Sequence, residues 1–180
     1  GHADDVVASE LPLLPVDECD LVSVAAAPAG RWLIFDDGMG AGARLGAALV
    51  AGGGRVAYVE PGEAFAVLAP DRFRVNPLAP PDFSALLAGL PFVPTGVAHL
   101  WALAHADGRA TTSASLQMAE NVGLPSLLHL AQALEGARST ARIWVVTRGA
   151  VGGVGASVGL CAVAQSPVCG LGRVLAVEQP

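Results

Sequence analysis

RWLIFDDGMGAGARLGAALVAGGGRVAYVEPGE, residues 31–63, is the stretch that decides the fold. It runs strand, glycine-rich turn, helix, strand, acidic residue, which is how a nucleotide-binding βαβ unit opens. Residues 32–35 are an unbroken apolar run, as in a strand buried on both faces of a parallel sheet. Gly38, Gly40 and Ala43 then match G-x-G-x-x-A. Leu45, Ala48 and Leu49 supply an apolar helical stripe, glycines 52–54 close the helix, and residues 56–59 form the next strand before Glu60.

The two residues ahead of the first glycine work against that motif. A pyrophosphate is held at such a turn by unpaired backbone N–H groups and the positive end of the helix dipole. Asp36 and Asp37 place two carboxylates at its mouth, with no Lys or Arg before Arg44 to offset them, and like charges this close repel through water. The sequence therefore predicts a glycine turn kept for close helix-to-strand packing, with no cofactor on Gly38, Gly40, Ala43 and Glu60.

Working outward, 180 residues make one domain, or one and a fraction. Apolar residues form 53% of the chain and charged ones 14%, a greasy balance for a free-standing soluble domain. Either the core is large or some surface is meant to be covered. A net charge of -6 excludes nucleic acid and anionic membranes as partners, since both need a basic footprint. All ten basic residues are Arg. Cys19, Cys161 and Cys169 form no framework or C-x-x-C pair, which with no signal peptide suggests a reducing cytoplasm. His2, His99, His105 and His129 are scattered, so no metal site is expected. No apolar run reaches the roughly 18 residues of a membrane span.

Residues 1–30 read as a tag remnant and linker, with short strand patterns at 11–14 and 21–24. Beyond the opening unit, residues 62–68 read as a short helix and 72–76 as a short strand. Asp82 then caps a helix through residue 88 that buries Phe83, Leu86 and Leu87. Residues 96–103 form another central strand, with His99 and Trp101 on one face. Residues 111–135 carry helical spacing broken by Gly123 and Pro125, giving two helices or one kinked helix. Residues 143–147 form a strand, 149–159 a surface loop and 166–178 a last helix with Pro167 in its first turn and Val168, Leu171, Val174 and Leu175 as its stripe.

The strings RWLIFDDGMGAG, RVAYVEPGEAF, FRVNPLAPPDFSALL, GVAHLWAL, SLLHLAQAL, IWVVTRGA and AQSPVCGLGRVLAVEQP, in this order over residues 31–180, resemble the structural subdomain of the ketoreductase region of modular type I polyketide synthases. The resemblance implies an α/β, truncated Rossmann-like fold with a mainly parallel sheet flanked by helices. It implies no cofactor in this chain, but a scaffold for a following catalytic subdomain that binds NADPH, with an enoylreductase as a further partner in some modules of the same polypeptide. Two departures are an absent aromatic-rich opening strand in residues 3–24, and Cys169 where Trp is common.

Residue chemistry points the same way. Ketoreduction on a short-chain dehydrogenase scaffold needs a Tyr acid with a Lys four residues later. Tyr58 is the only Tyr, Gly62 follows it by four, and the chain has no Lys. A hydrolase would need Ser126 or Ser166, read as helix starts, joined to His129 and an acid, without G-x-S-x-G. No catalytic residue is therefore expected. The alternatives left open are a stand-alone nucleotide-binding Rossmann module using Gly38, Gly40 and Glu60, and a small enzyme of unassigned reaction. Half of a two-part unit should also expose an apolar patch, placed around Leu171, Val174 and Leu175.

Overall fold

The structure, a computed structural model, describes residues 29–105, 113–148 and 163–178. Its strands are β1 (Arg31–Phe35), β2 (Arg55–Pro61), β3 (Ala66–Ala69), β4 (Arg72–Val75), β5 (Gly96–His99) and β6 (Arg142–Val145). Its helices are α1 (Ala41–Ala51), α2 (Pro80–Gly89), α3 (Ser113–Gly136) and α4 (Ser166–Glu178). The six strands lie in the order β3-β4-β2-β1-β5-β6, all neighbours parallel except β3 and β4. This is the doubly wound arrangement, with a hairpin at one edge. The α/β, mainly parallel, Rossmann-like reading of the sequence holds.

β1 is central, and its alternation builds both layers. Leu33 and Phe35 join the cluster covered by Phe83 and Leu86 of α2 and Leu130 and Leu134 of α3. Ile34 turns the other way, onto Leu49 of α1, with Val56 and Ala98. α4 lies on the first face, its Val168, Leu171 and Leu175 against Leu127, Ile143 and Val145. Among the described residues, three helices thus lie on one face and α1 on the other.

Several local readings need correction. Residues 62–68 are not helical. A segment that short closes too few helical hydrogen bonds, and residues 66–69 instead pair with β4 as β3. Asp82 is not a cap: Ala79 precedes α2, with Pro at its first positions, and the Asp82 carboxylate accepts the Asn76 N–H at 2.8 Å. β5 stops at His99, after which residues 101–105 coil into a 3-10 turn. The Leu103 N–H to Leu100 carbonyl bond helps close it. α3 is one helix with Pro125 inside it, so Ser126 is not a helix start. In α1 the sheet-facing residues are Gly42, Gly46 and Leu49, with Leu45 half-buried and Ala48 exposed. Residues 149–159 and the linker lie outside the described residues.

The expected apolar patch is partly present. Leu171 and Leu175 are half-buried, whereas Val174 is 51% exposed and Val177 80%. Trp144 and Val146 at the neighbouring sheet edge are exposed too, Trp144 on the face opposite this helix, where it packs on Trp32. Between α4 and β6 runs a groove of about 680 Å³ lined by Leu127, Ile143, Val145, Leu175 and Ala176 among others.

Candidate functional site

Ligands of doubly wound sheets bind beyond the carboxyl ends of the strands, where strand order reverses. Here that place lies between β1 and β5. β1 leads directly into Asp36 and Asp37, and the Asp36 N–H continues the sheet by bonding the Val59 carbonyl at 3.0 Å. Gly38 and Gly40 adopt φ of 67° and 98°, a region open to glycine at little cost. Their turn brings α1 back over β1.

The turn is occupied by the chain's own side chains. The Asp37 carboxylate, 8% exposed, accepts the Gly42 N–H at 3.1 Å, so an acid of the strand end satisfies a donor in the first turn of α1. Asp36 lies against Gly42 so closely that a Cβ there would sit 2.2 Å from Oδ1. The two carboxyls titrate apart. Burial pushes Asp36 above the ordinary value, and bonding to Asp37 and its charge push the same way, against the Gly38 N–H and the Arg72 charge. Burial also opposes charge on Asp37, but the N–H groups of Gly42, Ala41 and Met39 and the bond to Asp36 outweigh it and hold Asp37 low. Asp37 is the more acidic of the two.

Of the motif residues, Gly38 and Gly40 shape the turn. Ala43 is exposed and takes no part in helix-to-sheet packing; that position belongs to Gly42, which the G-x-G-x-x-A register passed over. The third glycine of GMGAG was its signal. Glu60 ends next to its register partner Arg74, and the Arg74 Nε donates to Glu60 Oε1 at 2.9 Å. The acid that ends the motif is thereby committed to an ion pair.

A serine and a histidine do meet, though the partner of Ser126 is His99 and not His129. His99 Nε2 lies 2.9 Å from Ser126 Oγ, while His129 instead bonds the Pro77 carbonyl and packs edge-on to Phe83. Ser126 donates its one proton to the carbonyls of Val122 and Gly123, so His99 carries its proton on Nε2. Burial pulls the His99 pKa down to about 4, and the ring is neutral. Both side chains are 0% exposed. Phe35 at 5.2 Å and Trp101 at 5.6 Å flank the ring. A nucleophile needs access, a base and an oriented acid; this pair is a strut between β5 and α3. Tyr58 is half-buried in β2 beneath the Arg72 guanidinium, with its Oη where a Cβ on Gly46 would fall. Among the described residues no group of three His, Cys, Asp or Glu could hold a metal, and no helix is long and apolar enough to cross a membrane.

Residues 30–147 match the model of the family described as "Beta-ketoacyl synthase-like, N-terminal". The chain belongs to that family. A polyketide synthase of Streptomyces halstedii, GfsB, is 44% identical over 85 residues, 47% of this chain and 1% of the synthase. The chain thus spans about a hundredth of the length of that relative. Among solved structures, the A-type ketoreductases from a modular polyketide synthase superpose with a TM-score of 0.53 at 30% identity, over 86% of this chain and 30% of theirs. A multidomain structure of adenylation, ketoreductase and pseudo Asub domains from a keto acid-selecting NRPS module gives 0.75 at 24% identity, over 93% and 13%. That likeness bears on the fold alone. Together, family, relative and ketoreductase neighbours make this a domain of the ketoreductase region of polyketide synthases.

Proposed function

We propose that the chain is the non-catalytic structural subdomain that scaffolds an NADPH-dependent ketoreductase in a polyketide synthase. The observation that carries the reading is the filled turn. Asp37 takes the Gly42 N–H and Arg74 takes Glu60, so the groups that would hold a dinucleotide are spent within the fold. The missing Lys beside Tyr58 removes the proton relay that ketoreduction requires. What remains is surface: the groove between α4 and β6 and the exposed Val174, Val177, Trp144 and Val146. A catalytic subdomain of the same polypeptide is the partner we assign to it, and the scaffold acts by binding the folded form, strengthened by tethering. NADPH belongs to that partner, and the assembly works in the cytoplasm.

Two measurements test this. Titration calorimetry of the chain with NADPH should give no binding, and a dissociation constant in the low micromolar range would overturn the reading. In the intact synthase, Leu171→Asp with Leu175→Asp should lower ketoreductase output through loss of folded protein, with kinetic constants of the surviving enzyme unchanged. Full folding with selectively lost turnover would place this surface in the reaction cycle.

A further inference from the structure

The two ends of the sheet are finished differently. At one edge β3 shifts register against β4 between Val67 and Ala69, and Pro70 follows it. A bulge and a proline stop an edge from accepting another strand. β6, at the opposite end of the sheet among the described residues, has neither. It pairs with β5 in unbroken parallel register, and residues 141–147 contain no Pro and a single charge, Arg142.

β6 also turns part of its backbone outward. The Arg142 N–H bonds the Thr95 carbonyl and the Val146 N–H bonds the His99 carbonyl, so Arg142, Trp144 and Val146 bond toward β5. Residues along a parallel strand alternate in this respect, which turns the N–H and C=O of Ile143 and Val145 away from the sheet. Beside them runs the groove of about 680 Å³, lined on its far side by Leu175 and Ala176 of α4. Every residue of β5 is buried, whereas Ile143 and Val145 are only half-buried. The layer made by α3 and α4 therefore stops short of the edge.

We propose that an extended segment of the catalytic subdomain lies in this groove and continues the sheet past β6. The proposal deepens the scaffold reading and takes its partner from it. Any partner that covers the groove takes water from the outward N–H and C=O groups of Ile143 and Val145, and buried backbone groups left unpaired are costly. A helix cannot satisfy them, because its own backbone groups are bonded internally. An extended segment bonds them in register, as in recognition by strand addition. The same geometry specifies the segment. Over the four residues of β6, its alternate side chains enter the groove against Ile143, Val145 and Leu175 and are apolar, while the intervening ones lie beside the exposed Trp144. Charge specifies its ends. Arg138 and Arg142 are exposed at the start of β6 and Arg148 beyond its end, so the segment carries carboxylates there. A second copy of this chain would set that arginine cluster against itself, which disfavours β6 as its own partner.

Amide hydrogen exchange, read residue by residue in the chain alone and in the chain joined to its catalytic subdomain, tests the added strand. Alone, Trp144 and Val146 should exchange slowly, and Ile143 and Val145 fast. In the joined protein Ile143 and Val145 should slow by about a hundredfold or more. Ile143→Pro removes an outward N–H and spares the bonds to β5, a change that edge strands tolerate, and it should abolish the slowing at Val145. Ile143→Ala keeps the N–H and should retain most of it. Should the proline variant fail to fold by circular dichroism, Arg142→Glu carries the test, with the slowing reduced about threefold. Further slowing along α4 at Leu171 and Leu175 without slowing at Ile143 and Val145 overturns the added strand and leaves the scaffold reading standing. Slowing in neither place overturns both. Slow exchange of Ile143 and Val145 already in the chain alone overturns the proposal too, in favour of the chain's own residues, or of a second copy where the slowing grows with protein concentration.

Discussion

The two faces of the sheet solve the same packing problem differently. On one, α2 and α3 bury Leu33, Phe35, Val59, Phe73, Val75 and Val97 to 1% exposure or less, and α4 extends the layer over Leu127, Ile143 and Val145. On the other, α1 is the one helix among the described residues, approaching through Gly42 and Gly46, and beyond its reach Trp144 remains 43% exposed. Trp32 and Trp144 pack together there at 4.8 Å, filling the space left by the missing side chain of Gly96. The first face is a core in the full sense. The second is a thin layer, close-fitted near the turn and open toward β6, and the acidic turn belongs to it. Stability is therefore concentrated on one side, and the surface available to partners on the other and around α4.

The sharpest test contrasts single side chains across the sheet. Phe35→Ala removes a ring in contact with Phe83, His99 and Trp101 and should cost about 3–5 kcal/mol in urea unfolding. Trp144→Ala should cost no more than about 1 kcal/mol, because half its surface is already wet. Equal losses would break the comparison. Next in size, Gly46→Ala places a methyl 1.9 Å from Tyr58 Oη and should destabilise by about 1–3 kcal/mol through overpacking. Adding Tyr58→Phe should recover part of that loss, whereas no recovery would mean that α1 tolerates displacement and the thin layer is loose.

Sequence reading succeeded wherever the determinants were local. β1, α1 and β2 were legible because strand, glycine turn and helix follow each other within 31 residues, and α4 because Ser166 and Pro167 mark its first turn. Misses fell where distant chain decides. Residues 66–69 become a strand only because β4 lies alongside. Gly42 differs from its neighbours only once Asp36 is laid against it. His99 and Ser126 are 27 residues apart, and no spacing rule joins a strand end to a helix interior.

Smaller effects sharpen the contrast by pH. His99, on the thick face, has a folded pKa below its unfolded value. The unfolded chain thus binds the proton first, and stability falls as pH drops below about 6.5 toward 4, by up to about 1.4 kcal/mol per unit. Long-range nitrogen NMR should show the ring unprotonated at Nδ1 and untitrated from pH 8 to 5. Titration near 6.5 would mean that the strut opens to water. Smallest is the cap on the thin face. Asp37→Asn should cost about 1 kcal/mol at neutral pH. Because the folded carboxyl is held low, its contribution is present above the unfolded pKa of 3.8 and is lost as pH falls through the folded value. Unfolding curves of the variant should therefore converge with those of the parent in acid, and persistent separation would assign Asp37 a role other than the charged cap.

The central position of β1 also sets a schedule for synthesis. Its partner β2 is complete at Pro61, but its other partner, β5, ends only at His99. At roughly 5–20 residues per second a ribosome needs about 2–8 s to supply that interval. For those seconds the middle strand of the finished sheet is an open edge with Leu33, Ile34 and Phe35 uncovered, the kind of template that pairs with foreign strands. Chaperone demand during translation should peak in this window, and slowing codons between positions 61 and 99 should lower the soluble yield more than the same codons placed after position 148.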